Sequence, residues 1–334
     1  MSATTPSHFT LSGTAIATFL AIALLATIAF WLSAPLGVPA LLIGAGLGLA
    51  LAAAPRPAAA EDAIAAAART PLRLGVALLG AKITAQQIAA LGAPFTLALA
   101  GCVAATIGVG MAIAPWFGVS RRDGFIAAGS TAICGASAAA ALGSVFPSDD
   151  KVRRAVLGAI LATAFLSTVA MFAYPAFVHL IGLTGTAAGA FLGASIHDVA
   201  QVAGAGFAVG QDAGETAMIA KLWRVAMLAP VVVIAALIVR GRSADKGPKP
   251  AFLPWFLLVF LALAGANTLG LIPKPAQAIA AQSSALLLLF AVTALGLATS
   301  WRELKAIGWG LFGLILTLTI ILAGLALAAV RFLL

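Results

Sequence analysis

Apolar runs of about 20 residues, separated by short polar connectors, recur along almost the whole chain. A bilayer core takes roughly 20 apolar residues per helical span. On that rule the pattern predicts spans near 11–32, 36–54, 71–91, 94–117, 123–146, 153–181, 187–210, 215–240, 252–272, 277–299 and 305–332. That makes about 11 helices. The third run is the least regular, because Lys82, Gln86 and Gln87 occupy its second half. It either crosses or ends early and continues as an interfacial helix. The longest polar connector, Gly241 to Pro250, reads as a loop and not as a domain linker. The first run follows a polar stretch without Lys or Arg, unlike the basic start of a cleaved leader, and is read as a retained helix.

Composition narrows the class. The 334 residues are 63% hydrophobic and only 9% charged, where a soluble domain carries roughly 25% charged residues. So few charges cannot cover a globular surface, and the expected class is an all-α integral membrane protein with the lipid bilayer as its partner. The net charge of +9 does not point to nucleic acid, because basic residues gather in connectors such as Arg121-Arg122 and Arg240 to Lys249. Connectors on the N-terminal side carry Arg56, Arg69, Arg73, Arg121, Arg122, Arg240, Arg242, Lys246, Lys249, Arg302 and Lys305. The opposite side carries Lys151, Arg153, Arg154, Lys274 and Arg331. The excess predicts a cytoplasmic N-terminus. Cys102 and Cys134 lie inside apolar stretches and form neither a disulfide framework nor a metal-ligand pattern.

Three spans are not plain. In the fifth, Gly129 to Ser137 brings small and hydroxyl residues to the centre, with Ser130, Cys134 and Ser137 on one face. Two readings fit: close packing through small residues, or an interrupted helix whose freed N–H groups and hydroxyls bind a ligand. In the seventh, His197 and Asp198 sit mid-span, and Ser195, Asp198 and Gln201 form a polar stripe at i, i+3 and i+6. An Asp there costs about 2.5 kcal/mol or more on insertion scales, so it marks either a helix-locking cluster or a functional site. In the eighth, Lys221 and Arg224 face one way. They either snorkel to the interface or offer two positive charges to an anion. Asn267 sits in an apolar span as a helix bridge or coupling group, and Arg69 and Arg73 are expected to face headgroups.

Motif absences bear on the mechanism. The chain has no phosphate loop of the GxxxxGK[ST] type, so ATP-driven transport by this chain alone is disfavoured. It has no HExxH, GxSxG or CxxC pattern, and an enzyme is not expected.

The blocks LRLGVALLGAKIT from Leu72, GSTAICGASAAAA from Gly129, GASIHDVAQVAGAG from Gly193 and KLWRVAMLAPVV from Lys221 run in one order along the chain. With NTLG from Asn267 and FAVTALGLATSWRELKAIGWG from Phe290, they resemble the YeiH-type family of bacterial membrane proteins, described as sulfate exporters. Phe146 to Arg154 departs from that pattern, and nothing is carried over there. The resemblance implies a bacterial inner-membrane protein of the bile-acid and arsenite carrier superfamily. It further implies two inverted five-helix repeats, at 36–182 and 187–333, after an extra helix in 1–35. Two discontinuous helices would cross near the bilayer centre, the GSTAICGAS span and the FAVTALGLAT span.

On this reading the chain is a secondary transporter of a small anion, sulfate or a sulfonate, with H+ or Na+ as coupling ion and no other cofactor. Substrate would meet Ser130, Thr131, Cys134, Gly135, Ser137, Lys221, Arg224 and Thr293, near half-helix N-termini. Coupling would fall to His197, Asp198, Ser195, Gln201 and Asn267. A passive anion channel or an organic-anion carrier is the alternative, and a homodimer is a candidate assembly.

Overall fold

The computed structural model describes residues 13–36, 38–89, 91–147, 149–240, 255–298 and 308–334. Among them the regular structure is helical. Six helical stretches are long and apolar enough to cross a membrane: 13–36, 92–117, 150–180, 211–239, 274–298 and 309–333. The expected Gly241 to Pro250 loop, Thr299, Ser300 and the segment 301–307 lie outside the described residues.

Two bundles share the helices. The first holds α1 (Gly13–Leu36), α2 (Ala40–Leu51), α3 (Ala58–Leu79), α13 (Trp255–Thr268) and α14 (Lys274–Ala298). Here α14 packs along both α2 and α3. The backbones of α2 and α14 approach so closely that a Cβ on Gly48 or Gly296 would strike backbone of the other helix. Close backbone approach through small residues suits helices that gain no hydrophobic drive from lipid. The third span differs from expectation. It begins at Ala58, because the Ala-rich 58–68 run is strongly helix-forming. It ends at Leu79, before Lys82, and a short α4 (Ala85–Ala89) follows.

The second bundle holds α5 (Gly92–Ile113), α6 (Arg121–Ala132), α7 (Ala136–Gly143), α8 (Asp150–Leu180), α9 (Gly185–Ser195), α10 (Val199–Val209), α11 (Gln211–Ala226) and α15 (Trp309–Leu333). From it α12 (Leu228–Arg240) continues α11 after a break at Met227. The bundles meet where α10 packs on α2 and α14.

The fifth and seventh runs do not cross. The Arg122 guanidinium at the start of α6 pairs with Asp149 at the start of α8, at 2.9 Å. Both helices therefore begin at the same end of the bundle. Gly129 on α6 faces Leu142 on α7, so α6 and α7 form a re-entrant hairpin with its tip at Ile133-Cys134-Gly135. Likewise Gly189 and Gly193 of α9 pack along Ala213 to Ala220 of α11, whereas Gly206 and Phe207 of α10 meet Gly214 near the start of α11. Hence α9 and α10 form a second hairpin, with its tip at Ile196-His197-Asp198. The two hairpins enter from opposite ends. At one end α15 starts beside Phe117, and at the other its Arg331 reaches the Ile181 carbonyl at 2.9 Å.

Two expectations are corrected. In place of about 11 crossing helices, the described residues hold six stretches long and apolar enough to cross, several shorter helices and two hairpins, whose polar, Gly-containing tips turn the chain back. The partner of the first interruption is the second hairpin and not the FAVTALGLAT span, since α14 runs unbroken from Lys274 to Ala298.

Candidate functional site

Each hairpin tip exposes the carbonyl end of one helix and the N–H end of the next, midway through the bundle. A helix end carries roughly half a unit charge, negative at the carbonyl end and positive at the N–H end. The tips lie against each other, with Gly135 facing the His197 carbonyl. They are built differently. Gly135 sits at φ 63°, ψ −119° and caps α7 without a side-chain bond. A residue with a Cβ is strained in that conformation. Asp198 caps α10 from extended backbone, its Oδ1 accepting the Ala200 N–H at 2.8 Å. The Ser167 hydroxyl of α8 accepts the backbone N–H groups of His197 and Asp198, both at 3.1 Å.

The carbonyl ends of both tips converge on two cations of α11. Lys221 donates to the carbonyls of Ile133 at 2.6 Å and Ile196 at 3.1 Å, and also to that of His197. Arg224 donates to Thr131 at 3.2 Å, Ala132 at 2.7 and 2.9 Å, and Gly193 and Ile196 both at 2.9 Å. Both side chains are fully buried. A buried charge is costly unless it is paired, and here the helix carbonyl ends supply the hydrogen bonds, with the Asp198 carboxylate adding negative charge near Lys221. These two residues do not snorkel, and their donors are already engaged by backbone. The His197 ring completes the tie: Nδ1 donates to the Thr131 carbonyl at 2.9 Å, and Nε2 lies 2.8 Å from the Thr319 hydroxyl of α15, which also bonds back to the Ile315 carbonyl at 2.8 Å. A carbonyl can only accept, which sets that tautomer.

The N–H ends face a cavity of 310 Å³ between the two bundles. On one side lie Cys134, Ala136 and Ser137 of the first tip, Asp198 and Val199 of the second, and Val225. On the other lie Arg69, Leu72, Arg73 and Val76 of α3, with Trp255 and Phe256 of α13. Arg69 and Arg73 are one helical turn apart on the exposed face of α3. The cavity therefore presents two guanidinium-bearing side chains opposite the first turns of α7 and α10, with one carboxylate beside them. Such a lining suits an oxyanion.

Of the expected substrate residues, Cys134 and Ser137 line the cavity and Gly135 shapes the tip. Ser130 and Thr131 turn inward, their hydroxyls donating to the carbonyls of Gly135 and Ala127, both at 2.9 Å. Thr293 bonds back to Leu289 at 2.8 Å and packs on Gly44 of α2, away from the cavity. Of the expected coupling residues, only Asp198 faces the cavity. The break at 196–198 splits the predicted polar stripe. Ser195 closes α9 and bonds to the Phe191 carbonyl at 2.7 Å. Gln201 lies inside α10, its Nε2 3.4 Å from Thr168 and its Oε1 without a partner among the described residues. Asn267 donates to the Ile83 carbonyl at 3.2 Å and secures the α3–α4 connector.

Arg69 and Arg73 are the residues that sequence reasoning misplaced. The signal was present: two arginines at i, i+4 within an unbroken helical run sit inside the helix and not before it. Ser167 and Thr319 lie in plain apolar spans and gave no signal.

The family model described as Conserved hypothetical protein 698 matches residues 17–315. The UPF0324 membrane protein TauZ of Paracoccus pantotrophus is 46% identical over 90% of each chain. A UPF0324 membrane protein of Rhizobium meliloti is 39% identical, covering 93% of this chain and 91% of its own. One from Chlorobaculum tepidum is 42% identical, covering 79% and 74%. No solved structure matches. The family model and these relatives agree with the family to which the sequence blocks pointed, and the chain belongs to the YeiH/UPF0324 family of membrane proteins.

Proposed function

We propose that this chain is a secondary carrier of a small oxyanion, sulfate or a sulfonate, which binds in the cavity between the hairpin tips. One observation carries the reading: Arg69 and Arg73 face the N-terminal turns of α7 and α10 across a cavity of 310 Å³. That size is at the small end of the roughly 300–1,000 Å³ of ligand pockets. Sites at the half-way depth of opposed, interrupted helices are the arrangement that alternating access uses. The cavity lies between two bundles with few mutual contacts. Movement of the hairpin bundle against α1–α3, α13 and α14 would expose the anion to one side and then the other.

Orientation follows from the hairpins. They bring Lys151, Arg153 and Arg154 to the same end as Arg56, Arg121 and Arg122, leaving Lys82, Lys274 and Arg331 at the other. The end with the larger positive excess, that of Arg56, Arg121 and Lys151, is cytoplasmic on the positive-inside rule, and with it the N-terminus of an inner-membrane protein. Asp198 is the coupling group of this reading, a carboxylate beside the anion that can take up a proton or meet a cation. The test is uptake of labelled sulfate and a sulfonate into proteoliposomes under an imposed H+ or Na+ gradient. Gradient-driven accumulation is expected, and its absence for both anions overturns the reading. Asp198→Asn keeps the helix cap, so the folded protein should persist within about 1 kcal/mol. Its uptake should continue but lose its dependence on the gradient.

A further inference from the structure

The carbonyl oxygens of the hairpin tips form a cage for a cation, and Lys221 fills it. In carriers with interrupted helices, the carbonyl ends of half-helices are where a coupling metal cation is held. Here the carbonyls of Ile133, Ile196 and His197, from both tips, converge on one Nζ. Arg224 takes the neighbouring oxygens of Thr131, Ala132 and Gly193 and shares that of Ile196. Three acceptors match the three donors of an ammonium. The two carbonyl ends, at roughly −0.5 each, are shared with Arg224, and the Asp198 carboxylate acts electrostatically on Lys221 as well; together they would favour an alkali ion as they favour the ammonium. A metal ion can dissociate between transport steps, whereas a side chain cannot.

We propose that the Lys221 ammonium is a built-in replacement for a coupling metal cation, tying the two hairpin tips permanently so that transport runs without sodium. This rests on the carrier reading for its consequence, but the cation cage itself does not depend on it. Coupling is then left to protons at Asp198 or to exchange of one anion for another.

The experiment removes the tethered cation and supplies a free one. Wild-type protein should take up labelled sulfate or a sulfonate equally with sodium or choline as the only monovalent cation, and its Tm in detergent should not rise with sodium. Lys221→Ala empties the cage. Its uptake should fall about tenfold or more and return in large part with sodium or methylammonium present. The same two cations should raise the Tm of Lys221→Ala. Lys221→Met, which fills the stem volume without a charge, should respond to neither. Sodium dependence of the wild type, or a Lys221→Ala protein whose Tm responds to neither cation, overturns the proposal. If Lys221→Ala cannot be purified, the wild-type sodium comparison decides. The Tm readings need no substrate, so a wild type without oxyanion flux sinks the carrier reading alone.

Discussion

Two pairs of basic residues sit at comparable depth and do opposite things. Lys221 and Arg224, at i and i+3 on α11, are buried, and their hydrogen bonds go to backbone carbonyls of both hairpin tips. Arg69 and Arg73, at i and i+4 on α3, are exposed to the cavity and bond to nothing among the described residues. The first pair meets helix carbonyl ends, and its charge is consumed in holding the site together. The second meets helix N–H ends across a gap, where the positive potential adds to its own. On the proposed function, what separates structure from recognition is the polarity of the helix end that each pair faces, and that depends on the direction in which each hairpin arm runs.

The comparison can be broken from either side. The largest effect is expected for Arg224→Met, which leaves the carbonyls of Thr131, Ala132 and Gly193 without their donor. Loss of one partner of a buried charged cluster costs about 3–5 kcal/mol, to be read as a large drop in Tm in detergent. A variant of wild-type stability would show that the clamp is not needed for the fold. Next comes Arg69→Ala with Arg73→Ala. Hydrogen bonds to charged groups contribute about 1.5–3 kcal/mol each, so oxyanion affinity should fall roughly tenfold to a hundredfold per arginine, with Tm unchanged. A fall in Tm without loss of affinity would reverse the two roles.

Gly135→Ala is expected to cost about 1–3 kcal/mol, because the tip backbone at φ 63° excludes a Cβ and Thr163 Oγ1 would lie 3.3 Å from it. Thermal unfolding checks this, and an unchanged Tm would mean that the tip adopts another turn. The smallest effect is at the outer end of the first hairpin. The Val152 N–H and then the Arg122 guanidinium hold the Asp149 carboxyl below the usual carboxylate range. A carboxylate with a depressed folded-state pKa stabilises above its unfolded value and loses that contribution as pH falls through the folded one. The Tm should therefore decline slightly across the acid range, and Asp149→Asn should flatten that decline.

Much of this was legible in the residues. The membrane class followed from apolar runs and few charges, and the GSTAICGAS block suggested one interruption, whereas the SIHDVA block was read as a polar stripe and the second interruption was expected in the FAVTALGLAT span. What local pattern could not show was that the chain reverses at the hairpin tips. A hairpin of two helices of about ten residues each has the same length and hydropathy as one crossing helix. Only long-range pairs such as Arg122 with Asp149, or Gly206 with Gly214, tell them apart. That reversal also explains why Lys151, Arg153 and Arg154 fell on the wrong side of the expected map. The Lys221 and Arg224 pair was visible as intramembrane charge, but its partners are main-chain carbonyls, which no sequence distinguishes. Arg69 and Arg73 were missed because the helix was taken to start at about residue 71, which put both at its end beside the headgroups, whereas it starts at Ala58.

The most direct test of the account is the position of a bound anion, from a structure determined with a saturating heavy-atom-labelled sulfonate. The account predicts density in the cavity between Ser137 and the guanidinium groups of Arg69 and Arg73. Density against Lys221 and Arg224 in place of the tip carbonyls, or anion binding with the cavity left empty, would contradict it.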